Sequence, residues 1–327
     1  MSGAAAASRS AATPVGPAPF TLALVELTWR DAPAAVRAAA RAVGDASGRS
    51  TVPLHTCARA AWLCSERDAT ALAAHLRARI GVQAAPGAPA PTVRTGEAAL
   101  RHLYRVAVGQ DSLVEGEADV GLQVRDALED ALDTALGAAP HPATRTLRLL
   151  RHEVVRLLRE GRLAGFVRPA VGLAEVAAAA VIELDASDVS GADVSVGVVG
   201  AGALGRRVVH ALERRGLRVR LYNRTAASGA LPLDRIGAGA DVAISAWIIA
   251  TSAPSPWFTP PRPVPVVDLG HARQCLTTDT LSLDALLARP GLRLPADRRA
   301  AAHAAVEAAV ARTDRRLASP TRPEVRR

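Results

Sequence analysis

Cys57 stands two residues after His55 and two before Arg59, directly past a short run of strand composition. A thiolate is a nucleophile, and neighbouring positive charge lowers the pKa of a thiol from its resting value of about 8.5. The spacing therefore allows covalent catalysis by Cys57. A small buried core residue is the competing interpretation of a cysteine in a half-apolar chain, and Cys64, in an apolar stretch, is interpreted as core.

A glycine-rich turn follows the apolar run 194–199, and a helical segment and a second strand-like run follow the turn. In such a βαβ unit the glycines permit a tight turn, the approach of a pyrophosphate and close helix packing at a helix N-terminus. Arg224, after the second strand, favours the 2′-phosphate of NADP; a solvated surface charge is the alternative. The predicted cofactor-binding residues are Gly200, Ala201, Gly202, Ala203, Leu204, Gly205, Asn223, Arg224 and Thr225.

Polar residues cluster around two glycines in the run His102–Arg125, which reads HLYRVAVGQDSLVEGEADVGLQVR. This run resembles, without a gap, the signature of the glutamyl-tRNA reductases. The resemblance extends back to Leu22–Arg37 and to His55–Arg59, which is similar to the family's nucleophile loop. It continues through the dinucleotide strand to Asp268–Arg273, so it covers most of the chain from Phe20 to Arg273 in order.

The resemblance implies NADPH-dependent reduction of glutamyl-tRNA to glutamate-1-semialdehyde, the first step of tetrapyrrole (5-aminolevulinate) biosynthesis. In this mechanism the Cys57 thiolate attacks the aminoacyl ester and releases tRNA, and the thioester is then reduced with NADPH. His102 matches a residue important for activity, and Arg59 can grip a substrate carboxylate. The implied partners are glutamyl-tRNA and the aminomutase that acts next; no metal is implied. The residues matched to substrate contacts are Thr56, Ala58, Arg59, Ser112, Glu117, Ala118, Asp119 and Gln123.

The chain departs from the family pattern around the nucleophile. Ala58 stands in place of an asparagine, His55 of a serine and Ala61 of a glutamate, and Asp119 replaces a glutamine where an anionic glutamyl group should bind. A second hypothesis is therefore a catalytically degenerate NADP-binding paralogue with a regulatory or scaffold role. A third, a shikimate-dehydrogenase-like enzyme suggested by residues 223–225, lacks that family's lysine, since the chain contains no lysine.

The elements that must position these residues form an α/β protein. Apolar patterning predicts strands over 20–26, 51–55, 194–199, 217–222, 241–250 and 264–269. It predicts helices over 32–43, 68–80, 206–215 and 295–317, and helical structure over 97–158 with breaks at the glycines. Residues 82–93 are predicted to form a loop. The stretch between Thr225 and Ala240 is too short for a helix and a strand, so a trimmed cofactor domain is expected.

The predicted fold is an α+β N-terminal catalytic domain followed by a Rossmann-like NADP-binding domain and a C-terminal helix. The predicted boundaries are 1–19 for a disordered tail, 20–165 for the catalytic (glutamyl-tRNA-binding) domain and 166–280 for the NADP-binding domain. Residues 281–327 are expected to form a shortened C-terminal helix and tail, without the family's dimerisation domain.

The composition bounds the remaining possibilities. With 327 residues and 49% hydrophobic content, the chain can form about two domains and is neither disordered nor fibrous. Its net charge is +9, and arginine supplies all of the Lys+Arg positive charge. Because this reflects a general bias in composition, the net charge is only weak evidence for a polyanionic partner. Three cysteines are too few for a disulfide framework or a four-ligand zinc site. No apolar run reaches the ~20 residues of a membrane helix. We expect a cytoplasmic protein that binds neither membrane nor DNA, and the sequence leaves the oligomeric state open.

Overall fold

The computed structural model describes residues 21–28, 32, 34–47, 50–56, 58–81, 90–136, 143–169, 171–185, 195–225, 227–237, 244–251, 253, 255–277 and 279–319. Within these ranges the chain forms two β-sheets, each covered by helices, and a long final helix. The predicted mixed α/β fold class is confirmed.

The first sheet is antiparallel, and its strands are β1 (Leu22–Thr28), β2 (Val52–Pro53), β3 (Arg59–Ser65) and β4 (Thr92–Thr95). The strand order is β2-β3-β1-β4. β1 pairs with β3 along its whole length, and this register sets Glu26 directly opposite Ala61. Because alternate residues of a strand point to opposite faces, Leu22 and Leu24 enter one core and Ala23 the other.

Five helices cover this sheet: α1 (Ala34–Asp45), α2 (Glu66–Gly81), α3 (Gly96–Ala107), α4 (Ala118–Leu136) and α5 (Thr144–Leu163). α1 and α2 pack on one face around the buried Trp62, and α3 packs against β1 with α4 and α5 behind it. α3 is helical because its apolar residues recur every three or four positions and form one buried stripe. The stripe contains Ala99, Leu100, Leu103, Tyr104, Val106 and Ala107.

The second sheet is parallel, and its strands are β5 (Ser195–Val199), β6 (Arg218–Asn223), β7 (Leu231–Pro232), β8 (Ile244–Ile249), β9 (Val266–Asp268) and β10 (Thr280–Ser282). Its helices are α6 (Leu173–Asp185), α7 (Ala203–Glu213) and α8 (Leu283–Leu287). The strand order β10-β9-β8-β5-β6-β7 is that of a doubly wound dinucleotide-binding fold. Its two halves meet at β5, and ligands bind at the carboxyl ends of the strands at such a switch point.

The final helix, α9 (Ala296–Ala318), packs against α3 and α5 of the first sheet. Tyr104 Oη lies 2.6 Å from Thr313 Oγ1, and the buried carboxylate of Glu153 lies 3.0 Å from the Arg312 guanidinium. The apolar residues of α9 that enter the first core are Ala302, Val306, Ala309 and Val310. The chain therefore returns to the first sheet after it has built the second.

Arg168 lies where the chain leaves the first core. Its guanidinium donates to the carbonyl oxygens of Gly291 at 2.8 Å and Leu292 at 3.1 Å, on the segment by which the chain returns. The Glu115 N–H also donates to the Leu292 carbonyl, at 3.0 Å. Hydrogen bonds thus join the segment that leaves the first core to the segment that returns to it.

Several elements differ from the sequence prediction. The helix predicted from residue 206 begins at Ala203, and α6 has no predicted counterpart because its Ala-rich run is apolar on most sides and shows no clear stripe. Thr92 and Val93, predicted to lie in a loop, are the first two residues of β4 because they pair with β1. The strand predicted over 51–55 shortens to Val52–Pro53.

Other predicted segments fall partly or wholly outside the described residues. The predicted tail 1–19, most of the predicted loop 82–93 and the first residues of the predicted strand 241–250 lie there. Between β6 and β8, the described part of the chain forms β7 and one 3-10 turn at Leu233–Arg235. In the described ranges no helix combines the length and apolar character needed to cross a lipid bilayer.

Candidate functional site

The hairpin between β2 and β3 carries the predicted nucleophile loop. Cys57 itself lies outside the described residues, whereas Thr56 and Ala58 on either side of it are described and buried. Thr56 and Arg59 exchange backbone hydrogen bonds of 3.1 and 3.3 Å, and the Ala58 N–H donates to Thr56 Oγ1 at 3.3 Å. Arg41 of α1 donates to the carbonyl oxygens of Thr56 and Arg59. The residues flanking Cys57 are therefore fixed to both a strand and a helix.

His55 does not supply the positive charge expected beside Cys57. Its ring lies edge-on to Trp62, with ring centroids 5.1 Å apart, and its Nε2 lies 3.1 Å from Asp45. Burial lowers the pKa of His55 below 6.5, although Asp45 opposes this shift. The Ala61 N–H donates to Nδ1 at 3.3 Å, which requires an unprotonated nitrogen there. His55 is therefore a neutral, structural ring near pH 7.

The other two cysteines are core residues, as predicted for Cys64. Cys64 and Cys275 are both buried free thiols. Burial, together with the nearby Asp68 carboxylate, raises the pKa of Cys64 to about 12. The Cys64 thiol is therefore protonated at neutral pH and is a poor nucleophile.

Arg59 is almost entirely buried, and both of its terminal nitrogens are engaged. Nη1 donates to Glu26 Oε1 at 2.8 Å, and Nη2 donates to the carbonyl oxygen of Asp111 at 2.6 Å. This places the guanidinium between β1 and the turn that follows α3. Arg59 thus joins the β2–β3 hairpin, which carries the predicted nucleophile loop, to the run 102–125.

Glu26 is a residue of this site that the sequence analysis did not identify. It is 1% exposed, and its second oxygen lies 3.1 Å from Arg94 Nη1 and 2.7 Å from His102 Nε2. Burial alone would raise the pKa of Glu26, but His102, Arg59 and Arg94 together lower it below its ordinary value. The carboxylate is therefore ionised at neutral pH. The only available signal was one acidic residue in the apolar strand LALVELT.

A cavity of about 460 Å³ opens above Glu26. His102 borders it with its Nδ1 3.4 Å from Asp111, and Arg105 lies 2.9 Å from the same carboxylate. Four arginines and one histidine face two carboxylates here, so the cavity carries surplus positive charge that suits a carboxylate or phosphate ligand. The ionisable lining residues are Glu26, Arg59, Arg94, Arg101, His102, Arg105 and Asp111.

The remaining predicted substrate contacts form a second group, at the boundary with the second sheet. Glu117 is buried beside Ser112, and burial and the Asp119 carboxylate raise the pKa of Glu117 to about 7. Asp119 lies 3.1 Å from Arg207 of α7. The Gln123 amide, with its oxygen towards the same guanidinium, accepts from it at 2.8 and 3.0 Å. Ala118 is buried at the start of α4.

The predicted site residues are thus divided between two neighbouring places. Arg59 and His102 line the cavity above Glu26, whereas Asp119 and Ala118 line a different cavity of about 750 Å³, beside Arg207. Ser112 follows directly on Asp111 and connects the two groups along the chain. The sequence could not indicate this division, because His102, Ala118 and Asp119 all fall in one continuous run, 102–125.

The glycine-rich turn has the geometry that a dinucleotide site requires. Gly200 has φ +114°, and a Cβ there would lie 2.5 Å from the Ala250 carbonyl oxygen. A Cβ at Gly205 would lie 1.7 Å from the Gly200 carbonyl oxygen, whereas one at Gly202 would meet no atom within 4 Å. Gly200 and Gly205 are therefore required by packing. Gly202 leaves open space at the start of α7, where the first N–H groups of a helix have no acceptor within the helix.

Asn223 ties this turn to the end of β6. Its Oδ1 accepts from the Ala201 N–H at 3.2 Å, and its Nδ2 donates to the Thr225 carbonyl at 2.9 Å. A cavity of about 600 Å³ lies alongside, and its lining includes Arg224, Thr251 and Trp257. The open space at the turn, the exposed guanidinium and the cavity fit the pyrophosphate, the 2′-phosphate and the adenosine of a dinucleotide.

Comparison with known proteins finds a matching family model and several similar proteins. The family described as "Glutamyl-tRNAGlu reductase, N-terminal domain" matches residues 20–147. Glutamyl-tRNA reductase 2 of a Nocardioides species is 35% identical over 198 residues, which are 60% of this chain and 42% of the relative. Glutamyl-tRNA reductase of Thermus thermophilus is 35% identical over 151 residues, 44% of this chain and 35% of the relative. The chain thus spans less than half the length of these curated relatives.

A solved structure, glutamyl-tRNA reductase from Methanopyrus kandleri, aligns with 90% of this chain and 80% of its own, with 24% identity and a TM-score of 0.45. The sequence matches cover the segment that carries Arg59, His102 and the run 102–125. The chain is thus similar to the glutamyl-tRNA reductases, most clearly over residues 20–147, the part that matches their N-terminal domain.

Proposed function

We propose that this protein reduces glutamyl-tRNA to glutamate-1-semialdehyde with NADPH, through a thioester on Cys57. The observation that carries the proposal is the convergence of Arg59, His102 and Asp111, from a hairpin, a helix and a turn, on one cationic cavity. Arg59 lines this cavity and lies two residues after Cys57 in the sequence. The proposed nucleophile therefore belongs to the same hairpin as a residue of the cavity wall. The curated relatives carry the name of this activity.

In the proposed first step the Cys57 thiolate attacks the carbonyl carbon of the aminoacyl ester. A carbon–sulfur bond forms, the bond from that carbon to the tRNA 3′-terminal ribose oxygen breaks, and the oxygen takes a proton as it leaves. His102 borders the cavity and can pass that proton. Arg94 and Arg105, both partly exposed, can hold the glutamyl carboxylate.

Arg59 takes a different role from the one that the resemblance implies. Its terminal nitrogens are occupied by Glu26 and by the Asp111 carbonyl, so it holds the cavity wall in place and leaves the substrate carboxylate to its more exposed neighbours. We propose that the second group, Glu117, Asp119 and Gln123, holds α4 against the second sheet through Arg207.

The glycine turn and the residues 223–225 would hold NADPH. The cofactor, when bound, supplies the hydride that reduces the acyl group. Gly202 and the N–H groups at the start of α7 would face the pyrophosphate, Arg224 would pair with the 2′-phosphate, and Asn223 keeps the turn in shape. Trp257, which lines the cavity, can exclude water from the adenosine.

The test is NADPH oxidation that depends on glutamyl-tRNA, measured on the purified chain and on Cys57→Ser and Cys64→Ser. We expect turnover by the wild type and by Cys64→Ser and none by Cys57→Ser, because a serine hydroxyl is far less readily ionised at neutral pH than a thiol. With labelled glutamyl-tRNA and no NADPH, the glutamyl group should remain on Cys57 as a hydroxylamine-labile adduct. An adduct on Cys64 or Cys275 contradicts the assignment.

The competing candidate is an NADP-binding paralogue without turnover. The observation that favours it is the neutral state of His55 together with the small Ala58, which leaves the flanks of Cys57 without the polar groups of the family pattern. NADPH binding without any adduct on Cys57 would support this candidate.

A further inference from the structure

The carboxylate beneath the cavity is buried in an otherwise apolar strand. Glu26 lies on the same face of β1 as Leu22 and Leu24, which pack in the hydrophobic core against α3. A buried ion pair rarely stabilises a fold more than apolar residues of similar size would, because both charges lose their hydration. The presence of Glu26 here therefore needs an explanation other than stability.

Glu26 contacts three cationic or titratable side chains that come from three different elements. Arg59 lies 2.8 Å away at the start of β3, Arg94 lies 3.1 Å away on β4, and His102 lies 2.7 Å away on α3. All three line the cavity together with Glu26, which is itself only 1% exposed. One buried carboxylate thus sets the positions of three groups that face a ligand.

The His102 ring is held from both sides. Its Nε2 lies 2.7 Å from Glu26 and its Nδ1 lies 3.4 Å from Asp111. Asp111 in turn accepts from Arg105, and its carbonyl accepts from Arg59. Removal of the Glu26 carboxylate would free one side of the ring and leave the Arg59 guanidinium without its anionic partner.

We propose that Glu26 is the positioning residue of this cavity, which orients His102 and Arg59 for the attack on the aminoacyl ester. The proposal rests on the function proposed above. Glu26 does not touch the substrate; it acts through the side chains that line the cavity.

The register of the sheet offers a direct test. Ala61 lies directly opposite Glu26 on β3, so both side chains project from the same face with Cβ atoms about 5 Å apart. A glutamate at position 61 can therefore place a carboxylate close to the point that Glu26 now occupies. If the role of Glu26 is to supply a carboxylate at that point, a carboxylate that projects from β3 should serve nearly as well as one that projects from β1.

The experiment compares Glu26→Gln, Glu26→Ala and the double variant Glu26→Ala with Ala61→Glu. We expect Glu26→Gln and Glu26→Ala to slow adduct formation on Cys57 by about tenfold to a hundredfold, because misplacement by ~1 Å has effects of that size. The loss should appear in kcat more than in KM, and NADPH affinity should not change. The double variant should recover most of the rate.

Glu153→Gln is the matched control, because Glu153 is also a buried glutamate paired with two arginines, Arg312 and Arg316, but is not part of the cavity. It should lower the unfolding midpoint and leave kcat unchanged. A Glu26→Gln variant that folds and keeps its full rate overturns the proposal. So does a double variant that folds with normal stability but recovers none of the rate.

A second readout separates this proposal from the proposed function. The ¹⁵N resonances of the His102 ring, assigned with His102→Gln, should move in Glu26→Gln and return towards wild type in the double variant. If the wild type lacks reductase activity but these resonances behave as expected, the proposed function fails and Glu26 still positions the ring. If the resonances do not move, the positioning role is wrong.

Discussion

The hydroxyl groups of Tyr104 on α3 and Thr313 on α9 lie 2.6 Å apart, although 209 residues separate them in the chain. Both side chains are fully buried. Burial raises the pKa of the Tyr104 phenol, so it stays protonated and keeps its hydrogen bond at any ordinary pH. α3 also carries His102, and this contact ties the helix of the candidate site to α9.

Substitution of both hydroxyls should destabilise the fold by less than the two single substitutions added together. Tyr104→Phe or Thr313→Val leaves one buried hydroxyl without a partner, at a cost of about 1–3 kcal/mol. The double variant replaces both with apolar groups of similar shape and should cost less than the sum of the two. Urea unfolding of the four proteins measures this coupling; strictly additive losses would show that the bond contributes nothing.

Gly202→Ala should fold normally and bind NADPH poorly. A Cβ at this position meets no protein atom within 4 Å, and its backbone has φ −73°, which alanine readily adopts. The methyl group would instead occupy the space predicted for the pyrophosphate. Calorimetry should show a loss of affinity of about tenfold or more with an unchanged unfolding midpoint. Gly205→Ala is the contrasting variant, because its Cβ overlaps the Gly200 carbonyl and should disrupt the turn itself.

Arg224→Ala should abolish a preference for NADPH over NADH. A guanidinium paired with a 2′-phosphate contributes about 1.5–3 kcal/mol as a charged hydrogen bond, which corresponds to roughly tenfold to a hundredfold in affinity. Calorimetry with both cofactors on the wild type and the variant measures the preference. Arg220→Ala, within β6 and four residues before Arg224, is the control. Equal affinities for the two cofactors in the wild type would remove Arg224 from the cofactor site.

Glu117 should make stability depend on pH. Its pKa is raised from 4.5 to about 7, so the native state binds a proton that the unfolded chain releases. This contribution is complete below about pH 4.5 and is lost as the pH rises through about 7. At ~1.4 kcal/mol per pKa unit it is on the order of 3 kcal/mol.

Urea unfolding at about pH 5 and about pH 8 checks this expectation, because Glu117→Gln should be less sensitive to pH than the wild type and more stable at the higher pH. Asp126→Asn, on the exposed face of α4, should retain the pH dependence of the wild type. An unchanged slope in Glu117→Gln would assign the effect to another group.

The elements that could be predicted are those that consecutive residues form without help from distant parts of the chain. The glycine turn, β5 and β6 were predictable because the residues that form a βαβ unit are consecutive and each glycine has its own steric reason. α9 was predictable because 23 residues without proline or glycine can hardly form anything else. By contrast, α6 lacks a one-sided apolar stripe, and the short β4 is a strand only because β1 lies beside it.

The sequence indicated candidate residues for the site but neither their arrangement nor the carboxylate that joins them. Arg59 and His102 were named as candidate site residues, but nothing in the sequence marked their common partner Glu26, 33 residues before Arg59, as a third. Its role depends on the pairing of β1 with β3, which residue patterns alone do not specify. The position of Asp119 at Arg207 of α7 likewise depends on a contact between distant elements.

The chain crosses between the first core and the second sheet twice, once on leaving and once on returning. The hydrogen bonds from Arg168 to the carbonyl groups of Gly291 and Leu292 bring these two crossings together at one point. The second sheet is therefore an insertion in a unit that begins with β1 and ends with α9. Cleavage of the backbone at one crossing would leave both parts connected through the other. A shortened chain that joins the two crossings directly would keep the first core, its final helix and the cavity above Glu26 in a single polypeptide without the nucleotide-binding sheet.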